Sequence, residues 1–481
     1  MRNRFAIWVM SGALSGGWAV AQMPAAYTPP DAATQELAKG IFKQLIEINT
    51  TDSVGSVTAA SKAMEQRFRE AGFPAGDVYV GGPNDRKENL VVRYRGTGAK
   101  PPVLFIGHLD VVEARREDWT TDPFQFVEKD GYFYGRGTQD MKNCDAILVT
   151  TFLRLHQEGF KPDRDLILAL TADEEGGKSN GVDWLLKNHP ELVKAGFAFN
   201  PDGGGVDLQN GRAVTADVDA SEKLYADFQL ITTSAGGHSS IPTPDNAIYH
   251  LADALERVAH YQFPFELNAI TRAYFEKLST IEHGQTAADI RAMLATPPDA
   301  AAIARLSREA EWNSDIHTTC VATRLLAGHA NNALPQMAQA NVNCRILPGH
   351  SREEVRQDLI RVINNPKITV NYVADTGEIS PAAPAGKALP PVALQPEVMQ
   401  PLEKLVAAYW PGTPVVADMA TGASDSKYTN AAGIPTYNWS AIELETNDVR
   451  AHGRDERLPE ASFWKGVQFW PEFVRMIATN E

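Results

Sequence analysis

Residues 103–112, "VLFIGHLDVV", decide the fold of this 481-residue chain. The run begins with four apolar residues and no polar alternation, which is typical of a parallel strand buried on both faces. Residues 166–170 and 197–199 have the same character, and helical apolar spacing separates the runs, most clearly at 146–155 and 182–186. Alternating strands and helices predict an α/β fold with a doubly wound, mostly parallel sheet.

The pattern changes after residue 220 to strand, helix, two strands, helix and strand. This β-α-β-β-α-β order resembles a ferredoxin-like α+β unit. A helical segment over residues 265–313, called here the helical excursion, is inserted within this unit, and the sequence assigns no role to it. A Pro- and Ala-rich stretch then indicates a semi-rigid connector. The expected organisation is an α/β domain in two parts, 22–220 and 397–481, an inserted α+β domain, 221–378, and a connector, 379–396.

The N-terminus has the order of a signal peptide. Arg2 and Arg4 precede an uncharged stretch, residues 5–18, and the small residues Ala19-Val20-Ala21 follow. The apolar part is short for a membrane span, so removal is favoured over anchoring. We expect a signal peptide over residues 1–21, cleavage after Ala21, and a secreted or periplasmic protein without membrane association.

Charge and cysteine content exclude several classes of protein. The formal net charge of -15 and the lack of a Lys/Arg run argue against a nucleic-acid surface. Three cysteines are too few for a disulfide framework, and burial as a small apolar residue is expected for Cys144. Cys320 and Cys344 lie on candidate antiparallel strands. We expect them close together but unbonded, because cross-strand disulfide geometry is restrictive.

Metal-type side chains follow each of the predicted buried strands. They are His108 and Asp110 in "IGHLDVV", Asp173, Glu174 and Glu175 in "TADEEGG", and Asp202 in "NPDGGG". The carboxyl ends of such strands meet at one edge of the sheet. Asp140 lies in "YGRGTQDMKN" just before a helix, and His452 lies in "RAHGRDE". Alone, each has an ordinary structural explanation, such as helix capping for Asp140. Together, histidines and carboxylates suit a zinc site, and a shared carboxylate can hold two ions.

These blocks, with "GGHSS", "NALP" and "CRILPG", occur in an order and spacing that resembles the dinuclear zinc aminoacylase, carboxypeptidase and dipeptidase family, also called metallopeptidase family twenty. The resemblance implies two Zn²⁺ ions, with Co²⁺ or Mn²⁺ as alternatives. It implies that Asp140 bridges them, that His108 and Asp202 bind one, and that Glu175 and His452 bind the other. Glu174 is then the general base. Asp110, two residues after His108, would accept the second imidazole N–H.

The same resemblance assigns residues outside the metal cluster. His238 in "SAGGHSS" would stabilise the oxyanion in a partner subunit. The resemblance thus implies that the two-part domain is catalytic and that the inserted domain, 221–378, is a lid or dimerisation domain of a homodimer. Asn332 and Arg345 would bind the substrate backbone and carboxylate, beside a small-residue loop that contains Gly422 and Ser424. From the residues alone, a turn is an alternative explanation for His238 and for Asn332, and a surface strand is an alternative for Arg345.

Three functions remain open at this point. The first is hydrolysis of a peptide beside a free carboxylate, by a water that bridges two zinc ions with a Glu base. The second is deacylation of an N-acyl amino acid by the same mechanism. The third is a non-catalytic exported binding protein. The first two need the same metals, base and carboxylate clamp, so the sequence does not separate them.

Overall fold

The computed structural model of this protein describes residues 27–479, so the predicted signal peptide, 1–21, lies outside the described residues. The helices are α1 Ala32–Glu47, α2 Val57–Glu70, α3 Lys142–Gln157, α4 Gly181–Asn188, α5 Pro190–Val193, α6 Ala247–His260, α7 Ala269–Ile281, α8 Gly284–Leu294, α9 Ala300–Leu306, α10 Ala310–Ile316, α11 Arg352–Ile363, α12 Pro396–Tyr409, α13 Ser426–Ala431 and α14 Glu460–Ala478. No helix within residues 27–479 is long and apolar enough to span a membrane.

The strands are β1 Val78–Gly81, β2 Asn89–Tyr94, β3 Val103–His108, β4 Val127–Lys129, β5 Tyr132–Tyr134, β6 Leu166–Thr171, β7 Phe197–Asn200, β8 Gly205–Gln209, β9 Arg212–Glu222, β10 Leu224–Thr233, β11 Gly237–His238, β12 Thr319–Ala327, β13 Ala333–Leu334, β14 Met337–Ile346, β15 Thr369–Val373, β16 Ile379–Ser380, β17 Val415–Ala420, β18 Thr436–Asn438, β19 Glu443–Glu445 and β20 Arg457–Pro459.

A ten-stranded sheet forms the centre of the molecule. Its order is β1-β2-β6-β3-β7-β18-β9-β8-β19, and β17 pairs with β9. The central strands β6, β3, β7 and β18 run parallel, whereas β1 and β2 add an antiparallel edge. Every residue of β3, β6 and β7 is buried. This burial confirms the prediction of a largely parallel sheet from uninterrupted apolar runs.

Helices cover both faces of this sheet. On one face, α3 packs between α1 and α14, and their apolar side chains form the main core. On the other face, Leu185 of α4 and Val193 of α5 pack on the sheet with Leu104 and Ile167. The α/β, doubly wound prediction is therefore confirmed. The sequence analysis did not identify the hairpin β8–β9 or strand β17, which extend the sheet.

The chain passes to a second sheet between Glu222 and Leu224. This five-stranded antiparallel sheet has the order β12-β14-β10-β15-β16, and α6 and α11 pack against it around a separate apolar core. The strands and helices follow one another in the predicted order. After this sheet, residues 381–395 contain no helix or strand and are held by contacts such as the Val392 N–H donating to the Ala220 carbonyl at 2.7 Å. The domain boundaries and the lid role stay predictions.

The helical excursion consists of α7 to α10, which share a small apolar core that includes Phe275, Ile290 and Ile316. Helix α7 packs against β17 of the central sheet. The excursion is therefore attached to the sheet that carries the predicted ligands, rather than standing away from it.

The structure contains a disulfide between Cys320 of β12 and Cys344 of β14. The expectation that they lie close together is confirmed, and the expectation that they are unbonded is wrong. The two residues are directly opposite in the antiparallel ladder, and their Cα atoms are 4.1 Å apart. Cys144 is free and buried, as expected.

Candidate active site

Three neighbouring strand ends converge, as the sequence predicts. His108 is the last residue of β3, Glu174 and Glu175 follow β6, and Asp202 follows β7. Asp140 lies just before α3. The structure groups ligand atoms of His108, Glu174 and Asp202 within 4.8 Å of one another, and likewise those of His108, Asp140 and Glu175. Either group could hold a metal ion.

Asp140 lies between two imidazoles. Its Oδ1 is 3.0 Å from Nε2 of His108, and its Oδ2 is 3.0 Å from Nε2 of His452. On one side, Asp202 Oδ1 is 3.5 Å from His108 Nε2. On the other, both carboxylate oxygens of Glu175 lie within 3.0 Å of His452 Nε2. Asp140 therefore belongs to two sets of side chains. One set contains His108 and Asp202, and the other contains Glu175 and His452.

The environment of His108 determines which of its nitrogens faces the cluster. The Nδ1–H donates to the backbone carbonyl of Asp110 at 3.0 Å. Because a carbonyl only accepts, Nδ1 carries the proton, and Nε2 is the nitrogen that faces Asp140 and Asp202.

The structure corrects the expected role of Asp110. Its carboxylate is 3.8 Å from His108 Nδ1, beyond hydrogen-bonding distance, and it accepts instead from the backbone N–H groups of Glu174 at 3.2 Å and Glu175 at 3.0 Å. The expectation assumed that the strand continued through residue 110. It ends at His108, so Asp110 turns toward the loop after β6 and orients the two glutamates.

The adjacent glutamates differ in their contacts. Glu175 contacts His452 through both oxygens. The carboxylate of Glu174 accepts no hydrogen bond from any residue within 27–479, although it lies near His108 and Asp202. Adjacent side chains diverge here because β6 has ended and Asp173 has φ +59°, a left-handed conformation. A carboxylate without a partner is available to a ligand or a water.

Burial raises the pKa of several carboxylates in the cluster. It raises the pKa of Asp202 to about 7 and that of Asp110 to about 6. Burial and the charge of Asp202 raise the pKa of Glu174 well above its usual range. Burial would lower the pKa of His108, but the carboxylates of Asp202 and Asp140 outweigh it and raise that pKa.

The pKa of the second imidazole is raised as well. Hydrogen bonds with Asp140 and Glu175 raise the pKa of His452 to about 10. Burial would raise the pKa of Asp140, but its hydrogen bonds with His108 and His452 lower it below its usual range. Two imidazoles cannot balance the carboxylates gathered here, and buried charge in proteins is normally paired or bound to metal. Imidazole nitrogens and carboxylate oxygens are zinc ligands, so the donor set fits divalent cations.

A network that the sequence analysis missed positions Asp140 and His452. Glu456 is fully buried, accepts from the backbone N–H groups of Gln139 at 2.6 Å and Asp140 at 3.2 Å, and pairs with Arg136 at 2.6 Å. Arg136 donates onward to the carbonyls of Gly453 at 3.0 Å and His452 at 3.4 Å. Arg136 and Glu456 lie inside the blocks "YGRGTQDMKN" and "RAHGRDE". Their position beside Asp140 and His452 was the one sequence feature that could have identified them.

The turn that carries the two glutamates has its own support. Asp173 is buried, pairs with the buried Lys87 and accepts the Ser179 N–H at 3.0 Å. Lys87 also pairs with Asp52 at 2.9 Å. Nothing in the sequence pattern singled out Lys87, because its partner is distant along the chain.

The residues expected to bind the substrate and the oxyanion belong to other structural elements than the candidate metal ligands. His238 and Asn332 are exposed neighbours, since His238 of β11 pairs with Ala333 of β13 and the Ser239 N–H donates to the Asn332 carbonyl. Arg345 of β14 is half-buried with its guanidinium 4.8 Å from the Tyr225 ring. Among residues 27–479, no hydrogen bond or ion pair joins these side chains to the cluster.

The two residues of the small-residue loop differ in exposure. Gly422 is exposed, and an added Cβ would meet no atom within 4 Å. Ser424 is buried and its hydroxyl is used internally: it donates to Glu222 and accepts from Asn200 at 3.1 Å. Substrate binding by Gly422 and Ser424 stays a prediction, and these contacts favour it only for Gly422.

Known proteins resemble this chain in sequence and in fold. The model of peptidase family M20/M25/M40 matches residues 104–476. The N-fatty-acyl-amino acid synthase/hydrolase PM20D1 of Xenopus tropicalis is 28% identical over 79% of this chain and 73% of that protein, and aminoacylase-1 of Mus musculus is 25% identical over 94% and 98%. The M20 family metallo-carboxypeptidase Sso-CP2 of Sulfolobus solfataricus superimposes with a TM-score of 0.68, at 15% identity over 92% and 99%. The chain therefore belongs to peptidase family M20/M25/M40 and is a hydrolase of that family.

Proposed function

We propose that this hydrolase binds two divalent cations, with zinc as the expected metal, and cleaves a peptide bond next to a free carboxylate. His108 and Asp202 would hold one ion, Glu175 and His452 the other, and Asp140 both. The observation that carries this proposal is the placement of the two Asp140 oxygens, each 3.0 Å from a different imidazole. A carboxylate in that position suits a shared ligand.

The side chains then divide the work of hydrolysis. When bound, the metal ions lower the pKa of a water and polarise the scissile carbonyl. Glu174, whose carboxylate has no partner among the described residues, takes the proton of the attacking water and transfers it to the leaving nitrogen. Asp110 holds Glu174 and Glu175 through their backbone N–H groups. The products are a carboxylate and an amine.

Arg345 and Asn332 are proposed to bind the substrate backbone and its carboxylate. The half-buried guanidinium lies over the Tyr225 ring and donates its Nε–H to Asn343 Oδ1 at 3.3 Å, which leaves its two terminal NH2 groups for a contact with a carboxylate. The alternative substrate is an N-acyl amino acid, which has the same free carboxylate. The names of aminoacylase-1 and PM20D1 favour this alternative, whereas the name of the metallo-carboxypeptidase Sso-CP2 favours the peptide.

A substrate panel tests the proposal. Zinc-loaded protein should hydrolyse dipeptides or N-acyl amino acids with a free carboxylate. Amidation of that carboxylate should lower kcat/KM by about 10- to 100-fold, because a charge-assisted contact is lost. Chelation should abolish turnover. Equal rates on free and amidated substrates would contradict the carboxylate clamp.

We propose that the protein works outside the cytoplasm. The N-terminal order of arginines, an uncharged stretch and Ala19-Val20-Ala21 supports export. The bond between Cys320 and Cys344 supports it independently, because disulfides persist mainly in oxidising compartments.

We propose that the protein forms a homodimer through the second sheet. Strand β12 is an edge strand of that sheet, and its side chains Val321, Leu325 and Leu326 are 57% to 65% exposed. Nearby α6 exposes Tyr249 at 63%. An exposed apolar edge strand is normally covered by another chain. His238 lies in the same part of the molecule, which would let it reach a partner's cluster.

Glu456→Gln should weaken metal binding. The amide would lose the charge that pairs with Arg136, and its NH2 donor would face either the guanidinium or the backbone N–H groups of Gln139 and Asp140. We expect zinc affinity, measured by competition with a chromophoric chelator, to fall by about 10- to 100-fold. Glu36→Gln is the control, because Glu36 is exposed and forms no ion pair with any described residue. Unchanged affinity in Glu456→Gln would show that the network does not support the cluster.

Glu174→Gln should separate chemistry from binding. Turnover should fall by about 100- to 10,000-fold because the base is lost. The metal content, measured by elemental analysis, should stay at two ions per chain. Loss of one ion would instead identify Glu174 as a ligand, and activity within a few fold of the original would exclude both roles.

Mixing His238→Ala chains with Glu174→Gln chains should restore activity. In a heterodimer, the intact Glu174 of one chain faces the intact His238 of the other, so one complete site forms. An oxyanion donor contributes about 100- to 1,000-fold in turnover, so the mixture should exceed either variant clearly. Mass spectrometry confirms subunit exchange. If exchange occurs and activity stays at the parental level, His238 acts within its own chain or not at all.

A further inference from the structure

A cavity of about 400 Å³ adjoins the metal cluster. Asp140 and Asp202 form part of its wall, so it opens onto the place where the scissile bond would lie. Helix α7 contributes Tyr274 and α10 contributes Glu311. The volume is within the range of small-molecule sites, about 300 to 1,000 Å³. The helical excursion therefore helps to enclose a space next to the reacting groups.

The wall of this cavity is acidic beyond the metal ligands. Besides Asp140 and Asp202, it carries Asp207, Asp217, Asp219, Asp418 and Glu311; we call it the acidic cavity. Within residues 27–479, no Lys, Arg or His side chain lines it and none of these five carboxylates forms an ion pair. The four aspartates come together because β8, β9 and β17 are neighbours, with Asp418 paired to Asp219 across the sheet, and Glu311 comes from α10.

A second, independent feature indicates a ligand that donates hydrogen bonds. Asn143 also lines the acidic cavity and is 1% exposed, and its carboxamide oxygen has no hydrogen-bond partner among the described residues. Buried polar groups in proteins are normally satisfied, so an unpaired acceptor on a residue of this wall is consistent with a hydrogen-bond donor in the occupied site. An ammonium or guanidinium group would supply both the donor and the positive charge.

The remaining wall suits an aliphatic stem. Val206, Ile442, Leu444 and Val449 are part of it. A side chain with a hydrocarbon stem and a cationic end packs its stem on apolar surface and pairs its end with carboxylates. A bare metal ion fits less well, because among residues 27–479 these five carboxylates form no group close enough to hold one. A fatty acyl chain would leave the carboxylates without a counter-charge.

The electrostatics of the cavity favour a cationic ligand. Burial and repulsion from Asp207 and Asp418 raise the pKa of Asp217 to about 8. Burial and neighbouring carboxylates also raise the pKa values of Asp219 and Asp418 well above their usual range. A cationic group would stabilise the charged forms of these side chains.

We propose that the acidic cavity is a substrate subsite that binds a lysine or arginine side chain next to the scissile bond. This inference rests on the proposed peptidase function, since it names the substrate class of the same site. It predicts that this chain prefers a cationic side chain to the fatty-acyl group that the name of PM20D1 describes.

Matched dipeptides test the inference. Lys-Ala is compared with norleucine-Ala, and Ala-Lys with Ala-norleucine, because norleucine keeps the stem and lacks the ammonium. In one of the two pairs, kcat/KM for the lysine peptide should be about 10- to 100-fold higher, as expected for contacts to a charged group. N-dodecanoyl-phenylalanine should be a poorer substrate than that peptide.

Variants test whether the acidic cavity causes the preference for lysine over norleucine. Asp217→Asn and Asp418→Asn should bring the lysine-to-norleucine ratio toward one, and the exposed Glu311→Gln should lower it without a risk to folding. Asp130→Asn, at an exposed turn, should leave the ratio unchanged. If the wild-type protein cleaved the lysine peptide and the norleucine peptide with equal kcat/KM in both pairs, the inference would be overturned while the peptidase function stands.

Calorimetry covers the case in which no peptide is cleaved. L-lysine should then bind the zinc-loaded protein more tightly than L-norleucine, and Asp418→Asn should remove the difference. That result supports the subsite although the proposed function has failed. Equal binding of the two amino acids would overturn the inference.

Discussion

The carboxylate of Asp140 lies 3.0 Å from each of two imidazoles, and much of the structure serves to hold it there. His108 arrives at the end of a fully buried strand. His452 comes from a loop more than three hundred residues away, with a positive φ of 62°, which is uncommon for a residue other than glycine. The buried Arg136–Glu456 pair connects the loops of Asp140 and His452. That pair therefore links the two loops that place Asp140 and His452 side by side.

Charge is the second constraint on this region. The cluster gathers carboxylates at strand ends whose surroundings are apolar, and burial raises the pKa of Asp202 to about 7. Such a concentration is unfavourable unless cations occupy it. The same logic extends into the acidic cavity, where Asp217 and Asp418 add further carboxylates. Metal binding and recognition of a cationic substrate would therefore draw on one continuous set of carboxylates, whose charged forms a bound cation stabilises.

Much of the fold and of the candidate site could be predicted from the sequence. Apolar runs without alternation predicted β3, β6 and β7, and the side chains after them predicted a cluster of His108, Glu175 and Asp202. These predictions depend on local rules: burial on both faces sets the composition of a strand, and parallel strands end at one edge. The hairpin β8–β9 was missed because its alternating, acidic pattern is not that of a buried parallel strand.

The sequence by itself determined the chemical types and their order: which strands are buried, which side chains follow them, and where the second sheet is inserted. Tertiary structure alone decided the partners. It directed the Asp110 carboxylate to two backbone N–H groups rather than to His108, placed Cys320 directly opposite Cys344, and joined Glu456 to the loop of Asp140. It also brought Glu311, Asp217 and Asp418 around one cavity. The periodicity and spacing of residue types specify whether a segment is a helix or a strand and which of its side chains face the core. Contacts between residues distant in the chain depend instead on how strands pair and where loops end, which no local pattern encodes.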